Sequence, residues 1–470
     1  MEKKIRQERP PKVKFSKAFW VANFAELLER AAYYAVFVVI TLYLSNILGF
    51  SDIGAATVSG VYSALLYFLP TFTGALADKM GFRKSMLLAF GLLTLGYLGM
   101  AIVPAMLQEA GLVSYGSETV FTGLVESGAK YNIIPALILV VIGGSFIKCV
   151  VSGTVARETD EKNRAKGFAI FYAMVNVGAF AGKFFVDPLR ISMGDKGMIV
   201  LNYMSAGLTL VAMIAIFFLY RSSHKEGEGK SLREIWRGLL RLCKRGRLVA
   251  LILIVSGFWM VYFQLYATMP KYVIRLAGEA STIGWYTLVN PIVVALTVNF
   301  ITARFKKHSA LTSIMIGMMI VPFAALIMSS GNLFHQPILG LHPVAFMMIV
   351  GIVFQALGEV FINPRYLEFF SLQSPKGEEG MYLGFAHLDS FISTLLGFIL
   401  SGFLLDKYLP DPKRFASVAE WEAASAHAHY IWYYFAAIAA LSAVAFIIYV
   451  VVLKRIDKRK ALQQASGPNG

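Results

Sequence analysis

The sequence predicts an all-α membrane protein with twelve transmembrane helices in two six-helix bundles and with both termini in the cytoplasm. Three observations lead to this prediction: the composition, the recurrence of long apolar segments, and the places where basic residues lie. Hydrophobic residues make up 57% of the 470 residues, and charged residues only 15%. Soluble proteins carry about 25% charged and about 45–50% apolar residues. So apolar a composition is typical of a protein that lies in a lipid bilayer.

Long apolar segments recur along the whole chain. A helix needs about 20 mostly apolar residues to cross the hydrocarbon core of a bilayer. We therefore expect twelve spans, and their approximate ranges are 18–47, 53–77, 85–106, 132–154, 165–187, 197–220, 248–270, 281–303, 310–330, 342–370, 381–404 and 430–453.

A polar linker separates the sixth span from the seventh. Its segment SLREIWRGLLRLCKR alternates apolar and basic residues, which predicts a basic amphipathic helix suited to an anionic membrane surface. A role as a spacer and a role in regulation both stay open for it. The predicted organisation is a basic N-terminus (1–17), a first bundle (18–220), the linker (221–247), a second bundle (248–453) and a tail (454–470). The first apolar segment exceeds the about 7–15 residues of a signal-peptide core, so we expect it to remain in the protein.

The basic residues indicate the orientation. Most of the 44 Lys and Arg residues lie in the termini and in the even-numbered turns between spans. Basic residues concentrate on the cytoplasmic side of membrane proteins. We therefore expect both termini in the cytoplasm and the protein in the plasma or inner membrane. The net charge of +16 follows from this topology, and we expect no nucleic-acid partner.

The turn after the second span carries a dense motif, GALADKMGFRKS. Five of its residues fit the pattern G-x-x-x-D-x-x-G-x-R-K: Gly74, Asp78, Gly81, Arg83 and Lys84. Glycines allow close helix packing and a tight turn, and the aspartate can cap a helix or pair with a base on a neighbouring helix. The motif resembles the signature loop of the major facilitator superfamily. That resemblance implies a conformational role for the loop rather than contact with a solute.

Ionisable residues inside spans are costly and are candidates for function. The first span carries Glu26, Glu29 and Arg30 near its middle, and residues three and four apart share one helix face. A pair between Glu26 and Arg30 alone would leave Glu29 without a partner. Lys148 in the fourth span and Glu359 in the tenth complete a set in which acids outnumber bases by one. Binding one proton removes that excess, so the set favours a proton relay with bases free to hold a carboxylate.

Other ionisable residues receive different predictions. Lys183 and Glu368 lie near expected span ends, so we expect their side chains to extend to the interface. Arg365 and Asp389 would cancel if they meet. His387 is expected to pack or to form hydrogen bonds rather than to carry protons.

Five short stretches, in order along the chain, resemble motifs of the proton-dependent oligopeptide transporter family. They are ELLERAAYY from Glu26, with Ala31 where phenylalanine is usual, GGSFIK ending at Lys148, FYAMVNVG, VNP and GEVFINP. The resemblance implies proton-driven uptake of small peptides by alternating access. It makes Glu26, Glu29 and Arg30 the proton-coupling motif. Lys148 would pair with that motif and help to hold the peptide carboxylate, and Glu359 would receive the peptide amino terminus.

The same resemblance implies further substrate-binding residues besides Arg30, Lys148 and Glu359, namely Tyr33, Tyr34, Tyr67, Asn176 and Asn290. We expect Gln264 and two further charges inside spans, Arg365 and Asp389, to belong to the same set. The tyrosines could instead only pack, and the asparagines could only bond between helices. The family commonly has an acid before the span-seven glutamine, where this chain has Phe263. Together with Arg365, this departure favours an anionic or differently shaped solute.

Three other classes of protein are less well supported. The chain has neither a nucleotide-binding P-loop motif nor a Cys/His cluster with metal spacing, so we expect no enzyme and no cofactor. Two dissimilar halves favour rocking over an open channel. A proton-coupled transporter of a non-peptide solute, including an exporter of drugs or lipid-like molecules, stays open as the alternative. The prediction is a monomeric proton–solute symporter in the bilayer.

Overall fold

The computed structural model describes residues 15–116, 119–160, 163–221, 231–305, 307–375 and 379–465, and these are almost wholly helical. Most of the predicted N-terminal segment and the last five residues of the predicted tail lie outside these ranges. The α-helices are α1 Lys17–Phe37, α2 Ile40–Leu42, α3 Asp52–Phe68, α4 Pro70–Met80, α5 Phe82–Glu109, α6 Ile134–Arg157, α7 Arg164–Met193, α8 Asp195–Leu219, α9 Leu232–Cys243, α10 Gly246–Tyr262, α11 Gln264–Ala267, α12 Met269–Ala277, α13 Ile283–Arg304, α14 Ala310–Ser329, α15 Pro343–Leu372, α16 Glu379–Ala386, α17 Leu388–Tyr408, α18 Val418–Ser425 and α19 Tyr430–Ala465.

Shorter elements join these helices. A π-helical turn covers Tyr43–Ile47, and 3-10 turns cover Gly128–Ile133, Ser330–Leu333 and Pro412–Arg414. Two short antiparallel strands, β1 Val113–Tyr115 and β2 Thr119–Phe121, form a hairpin between α5 and α6. The hairpin lies between two spans, and the predicted all-α fold class is confirmed. Side chains of the hairpin alternate between buried and exposed, as the pleat of a strand requires.

Ten helical segments of the described chain are long and apolar enough to cross a membrane, and the number rises to twelve if each of two bent pairs is one span. The bent pairs are Lys17–Phe37 with Ile40–Ile47, at 47°, and Asp52–Phe68 with Pro70–Met80, at 48°. Pro70 explains the second bend, because proline has no backbone N–H and breaks a helix at the residues before it. These segments coincide with the twelve predicted ranges to within a few residues, except that the last begins at Val418.

The helices before and after α9 form two halves, each packed mainly within itself. The halves meet along α3 with α17 and along α7 with α13. Small residues bring α3 and α17 together: a Cβ atom on Gly402 would lie 2.7 Å from the Cβ of Ala56. Small residues at helix contacts are typical of membrane proteins. This arrangement leaves a space between the halves.

The two ends of the spans are here called faces. The inner face carries the turn between α4 and α5 and also carries α9, and it is the cytoplasmic side in the predicted topology. The outer face carries the start of α3 and the turn between α12 and α13.

The linker contains the expected amphipathic helix, α9. Its start is capped reciprocally, because the Ser231 hydroxyl accepts from Glu234 N and the Glu234 carboxylate accepts from Ser231 N. Leu239 and Leu242 are buried, and α9 packs against α4, α10 and α16. The helix therefore touches both halves at the inner face.

The turn between α4 and α5 has the geometry that its motif predicts. Gly81 adopts a φ of +87°, which favours glycine, and Gly74 lies against Cys149. Asp78 forms an ion pair of 2.9 Å with Arg157 of α6. Arg83 donates to Phe217 O at 2.7 Å, and Lys84 is exposed. The tight turn and the pairing of Asp78 with a base on a neighbouring helix are both confirmed.

Candidate functional site

A cavity of about 200 Å³ lies between the halves, and its wall is mostly aromatic. It is lined by Tyr33, Tyr34, Phe37, Tyr67, Trp259, Tyr262, Phe263, Tyr266, Glu359, Asn363, Tyr366, Leu367, His387, Asp389 and Ser390. Helices of both halves supply these residues. The cavity therefore lies where a movement of one half against the other would change its shape.

The three charged residues of α1 form one buried cluster. The Arg30 guanidinium lies 3.2 Å from Glu26 Oε1, and Arg30 Nε also donates to Glu29 Oε2 at 2.5 Å. The expectation that a Glu26–Arg30 pair leaves Glu29 alone is wrong, because one guanidinium has enough donors for both carboxylates. Glu26 Oε2 has no hydrogen-bond partner. The cluster thus holds two acids on one base, away from water.

The Lys148 ammonium group, on α6, packs against an aromatic ring rather than pairing with a carboxylate. Its Nζ atom is 3.9 Å from the centroid of the Tyr67 ring and donates to Leu66 O at 3.2 Å. Its charge acts on Glu26 and Glu29, but no ion pair within 4.0 Å joins it to either in the part of the chain that the structure describes. The expected pairing of Lys148 with the coupling motif is therefore absent from this conformation. Tyr67 holds the base instead.

Glu359 and Asn290 lie together, as side chains of one site should. Asn290 Nδ2 donates to Glu359 Oε2 at 3.0 Å, and Tyr262 donates to Asn290 Oδ1 at 3.4 Å. The site thus has an acid in the second half and bases in the first half.

Arg365 lies away from the cavity. It pairs with Glu368 at 2.7 Å and donates to Phe305 O at 3.2 Å. Residues 359, 363, 366 and 367 of α15 line the cavity, so the helical period turns residue 365 to another side. The side chain of Glu368 is 44% exposed, which agrees with its predicted position near an interface. The Arg365–Asp389 pair does not form.

His387 and Asp389 lie at the break between α16 and α17, and both line the cavity. Asp389 accepts from the Ser390 hydroxyl at 2.9 Å.

Two predicted binding residues have structural partners instead. Gln264 donates to Met260 O at 2.6 Å and to Gly397 O at 3.3 Å, and accepts from Thr268 Oγ1 at 2.6 Å. These bonds occupy the amide and hold α11 against α17. Asn176 donates to Tyr172 O of its own helix. Neither residue lines the cavity. Arg30, Lys148 and Asn290 do not line it either, but their side chains contact the lining residues Tyr33, Tyr67 and Glu359.

Lys183 was assigned to an interface, and this prediction is wrong. The residue is 2% exposed, because α7 continues to Met193 and places position 183 well inside the helix. Its Nζ atom donates to the Tyr266 hydroxyl and to Thr287 O, each at 3.2 Å, and lies 4.9 Å from the Tyr34 ring centroid. Asp187 and Arg190, one and two turns later, were the signal that the helix continues.

Lys183, Asp187 and Arg190 form what we call the α7 charged face. All three are buried and bond to the turn between α12 and α13 or to the start of α13. Asp187 accepts from Gly284 N at 3.1 Å and from Trp285 N at 2.8 Å. Arg190 donates to Glu279 O at 2.8 Å and to Ser281 O, and it also pairs with the Glu279 carboxylate at 3.3 Å. The charged face closes the outer ends of α7 and α13 on each other.

A second cluster closes the outer face between α3 and α12. The Asp52 carboxylate forms ion pairs with Lys271 Nζ at 2.7 Å and with the Arg275 guanidinium at 2.9 Å. Lys271 also donates to the Ser45 hydroxyl at 2.6 Å, and Arg275 to Leu409 O at 2.6 Å. Reading of the sequence missed this cluster, because its members lie close to predicted span ends. The two sets of contacts join the halves at the outer face.

Comparison with known proteins agrees with this architecture. Residues 22–339 match the family model of the Major Facilitator Superfamily. Dipeptide and tripeptide permease B of Photorhabdus asymbiotica is 24% identical over 82% of this chain and 87% of its own length. Dipeptide and tripeptide permease A of Escherichia coli is 22% identical over 83% and 84%. A solved POT family transporter in complex with a thioalcohol-conjugated peptide shares the fold, with a TM-score of 0.70, 17% identity and coverage of 93% and 96%.

These relatives are transporters rather than enzymes, and the match of the family model covers more than half of the sequence. On this basis the chain belongs to the Major Facilitator Superfamily.

Proposed function

We propose that this protein is a proton-coupled symporter that imports small peptides, or peptide-like zwitterionic or anionic solutes, by alternating access. The observation that carries the proposal is the distribution of charge around the central cavity. Arg30 and Lys148 lie in the first half, and Glu359 lies in the second half. A zwitterion has its opposite charges at its two ends, so it suits a site of this polarity.

Proton coupling rests on the two carboxylates that share Arg30. Two buried anions beside one cation leave an excess negative charge in a low dielectric, which costs several kcal/mol for an uncompensated ion. Protonation of Glu26 or Glu29 removes that excess and weakens the hold on the guanidinium. Arg30 then becomes available to a solute carboxylate. When proton and solute leave, the ion pairs form again and the carrier resets.

Binding at the other end rests on Glu359 and its neighbour. The Asn290 amide orients the Glu359 carboxylate, which accepts the solute ammonium group. Lys148 and Arg30 hold the solute carboxylate. The aromatic wall between the two ends accommodates solute side chains through apolar contact.

Alternating access is supported by the two sets of contacts that join the halves at the outer face. Opening of the outer contacts would admit a solute from outside. With twelve spans, both termini cytoplasmic and residence in the cell membrane, the inner face releases solute into the cytoplasm. We propose the monomer as the functional unit, because the cavity lies within one chain.

Transport of a non-peptide solute, including drug or lipid-like export, is the second candidate. The aromatic wall with Phe263 favours it, since an apolar residue here replaces an acid that the peptide-transporter motif would supply.

The test uses purified protein in liposomes that hold a pH-sensitive dye, with an inward proton gradient. Alanine di- and tripeptides added outside should acidify the lumen. Glu29→Gln and Lys148→Ala should each remove about 90% or more of this signal, as expected when a required ionisable group is lost. Glu368→Gln is the matched control, because this acid is exposed and outside the cavity, and it should acidify as the unaltered protein does.

Three results would change the conclusion. Full acidification by both Glu29→Gln and Lys148→Ala would contradict the coupling mechanism. Acidification by another zwitterionic or anionic solute, but not by peptides, would keep the coupling and replace the substrate. A lack of response to every solute would favour the exporter.

A further inference from the structure

Lys183 lies where the central cavity and the outer closure meet. Its ammonium group bonds to Tyr266, whose ring lines the cavity, and to the carbonyl of Thr287, which belongs to the first turns of α13. Lys183 comes from the first half, whereas both of its partners come from the second half. One side chain therefore contacts the binding site and the closure together.

The partners of Lys183 are neutral. An ammonium has three N–H donors, and the hydroxyl and the carbonyl accept two of them. A buried cation without a carboxylate is costly unless its surroundings compensate it; here the Tyr34 and Tyr266 rings lie within 5.4 Å and supply a cation–π contribution. Glu359 lines the cavity together with Tyr34 and Tyr266, the two rings that contact Lys183, and its charge acts on Lys183. A lysine on a flexible stem has a second partner available there.

The Thr287 contact is one end of a continuous set. One turn earlier on α13, Gly284 N and Trp285 N bond to Asp187, and the preceding turn bonds to Arg190. A Cβ atom on Gly284 would lie 2.8 Å from Lys183 O, so the two backbones are in close contact here. Separation of α7 from α13 must break the Lys183–Thr287 bond. The ammonium group then lacks an acceptor, and a carboxylate would stabilise it.

We propose that Lys183 links occupation of the cavity to closure of the outer face. With the outer face open, Lys183 pairs with Glu359. A solute ammonium group that takes Glu359 displaces Lys183, which returns to Tyr266 and Thr287 and draws α7 onto α13. This inference rests on the proposed function only for the arrival of the solute. A ligand favours closure by as much as its interaction differs between the two states.

The experiment measures accessibility of the outer contact. In a protein with Cys149→Ser and Cys243→Ser, which removes both native cysteines, a single Ser281→Cys reports the separation of α7 from the α12–α13 turn. Ser281 is 7% exposed in the closed arrangement, and its carbonyl accepts from Arg190. A membrane-impermeant maleimide is added outside intact cells, and the labelling rate is measured with and without Ala-Ala.

The expected result has three parts. Ala-Ala slows labelling of the reporter protein by about threefold or more, as a shift toward the closed state requires. Lys183→Met raises the rate without solute and removes the response to Ala-Ala. Glu359→Gln lowers the rate without any solute, because Lys183 loses its alternative partner and stays on Thr287. Lys183→Arg keeps the cation and restores part of the response.

Lys166→Met is the matched control, since Lys166 is an exposed lysine on the same helix, and it should behave as the reporter protein does. A Lys183→Met protein that still responds to Ala-Ala would overturn the proposal. So would a Glu359→Gln protein that labels at the unaltered rate, because Lys183 would then be only a structural clamp.

Failure of the proposed function gives a different pattern. If no peptide acidifies liposomes or changes labelling, peptide symport is wrong, but the solute-free rates of Lys183→Met, Lys166→Met and Glu359→Gln still test the link. Where Lys183→Met does not reach the membrane, Lys183→Arg and Glu359→Gln carry the test.

Discussion

Each base of the candidate site is held by a different kind of contact. Arg30 bonds to two carboxylates, whereas Lys148 lies on the Tyr67 ring and bonds to one carbonyl. A guanidinium with two carboxylates is strongly bound, and the proposed mechanism releases it when one carboxylate takes up a proton. A lysine on a ring lacks an anion, so it is ready for a solute carboxylate. Under the proposed function, Arg30 would therefore respond to both proton and solute, whereas Lys148 would respond to the solute.

The contact of Lys148 with Tyr67 leads to a prediction about the ring. Tyr67→Leu removes a desolvated cation–π contact of about 2 kcal/mol, so Lys148 loses its position and the KM for peptide should rise by about 10- to 30-fold. Tyr67→Phe keeps the ring and should stay within about threefold of the unaltered protein, because the tyrosine hydroxyl is dispensable for this contact. Uptake of a labelled dipeptide over a range of concentrations measures both.

The comparison of the two Tyr67 variants decides what the residue does. If Tyr67→Phe is as impaired as Tyr67→Leu, the hydroxyl contacts the solute directly and the ring is not the main feature. Melting temperatures of both proteins show whether either change acts through the fold.

Among the elements, α7 shows where prediction from the sequence succeeds and where it fails. Its apolar pattern predicts a span, but the pattern weakens after residue 187. The sequence therefore predicts a span end there, and it places Lys183 at the membrane interface. In the structure Asp187 and Arg190 bond to backbone groups of the other half, so the helix continues with charged residues that have partners there. Contacts of α7 with backbone groups of the other half, rather than its own apolar pattern, therefore explain how far this helix extends.

The phase of a helix is a second source of error. The position of Arg365 in a span suggested a role in the cavity, but α15 turns residues 359, 363 and 366 toward it instead. Gln264 was expected to bind solute because of its neighbours in the motif, and it bonds between helices. An amphipathic pattern and a tight turn are local properties, and the sequence predicts both correctly, at α9 and at Gly81. Which side of a long helix meets a partner is not a local property.

The contact between α7 and α13 allows a direct test at Gly284. A Cβ atom there would lie 2.8 Å from Lys183 O and 2.9 Å from Val186 Cβ, and backbone cannot easily move aside. Gly284→Ala should therefore destabilise the protein by about 1–3 kcal/mol, which lowers the melting temperature. It should also open the outer face, which raises the labelling rate of Ser281→Cys.

Gly207→Ala in α8 is the control for this change. Among the described residues, no atom beyond Gly207's own stretch of helix lies within 4 Å of a Cβ atom placed there. Alanine is favoured over glycine in a helix by up to about 1 kcal/mol. Its melting temperature should stay the same or rise. Equal effects of the two substitutions would mean that helix propensity, rather than the contact of the halves, explains the result.

At the scale of the whole molecule, the two faces differ in how the halves are joined. The outer face is joined by buried charges that bond directly across the halves, at Asp52 and at the α7 charged face. At the inner face, α9 packs against α4 of the first half and α16 of the second half. Direct ionic contacts must break when the outer face opens. The linker helix α9, in contrast, could move with one half while its contact with the other half shifts. Under the proposed alternating access, the two faces would therefore open by breaking different kinds of contact.

The role assigned to each face depends on which face is cytoplasmic. The native cysteines offer a test of this orientation. Cys243 lies at the end of α9 and is exposed, whereas Cys149 is half-buried. The positive-inside pattern predicts that a Cys149→Ser protein in intact cells does not react with a membrane-impermeant maleimide, and that it reacts after lysis. Val418 of α18, 71% exposed beyond the other end of α17, provides the opposite control. Val418→Cys, made with both native cysteines replaced, should react in intact cells. Reaction of Cys243 in intact cells, with Val418→Cys protected, would reverse the topology and exchange the roles of the two gates.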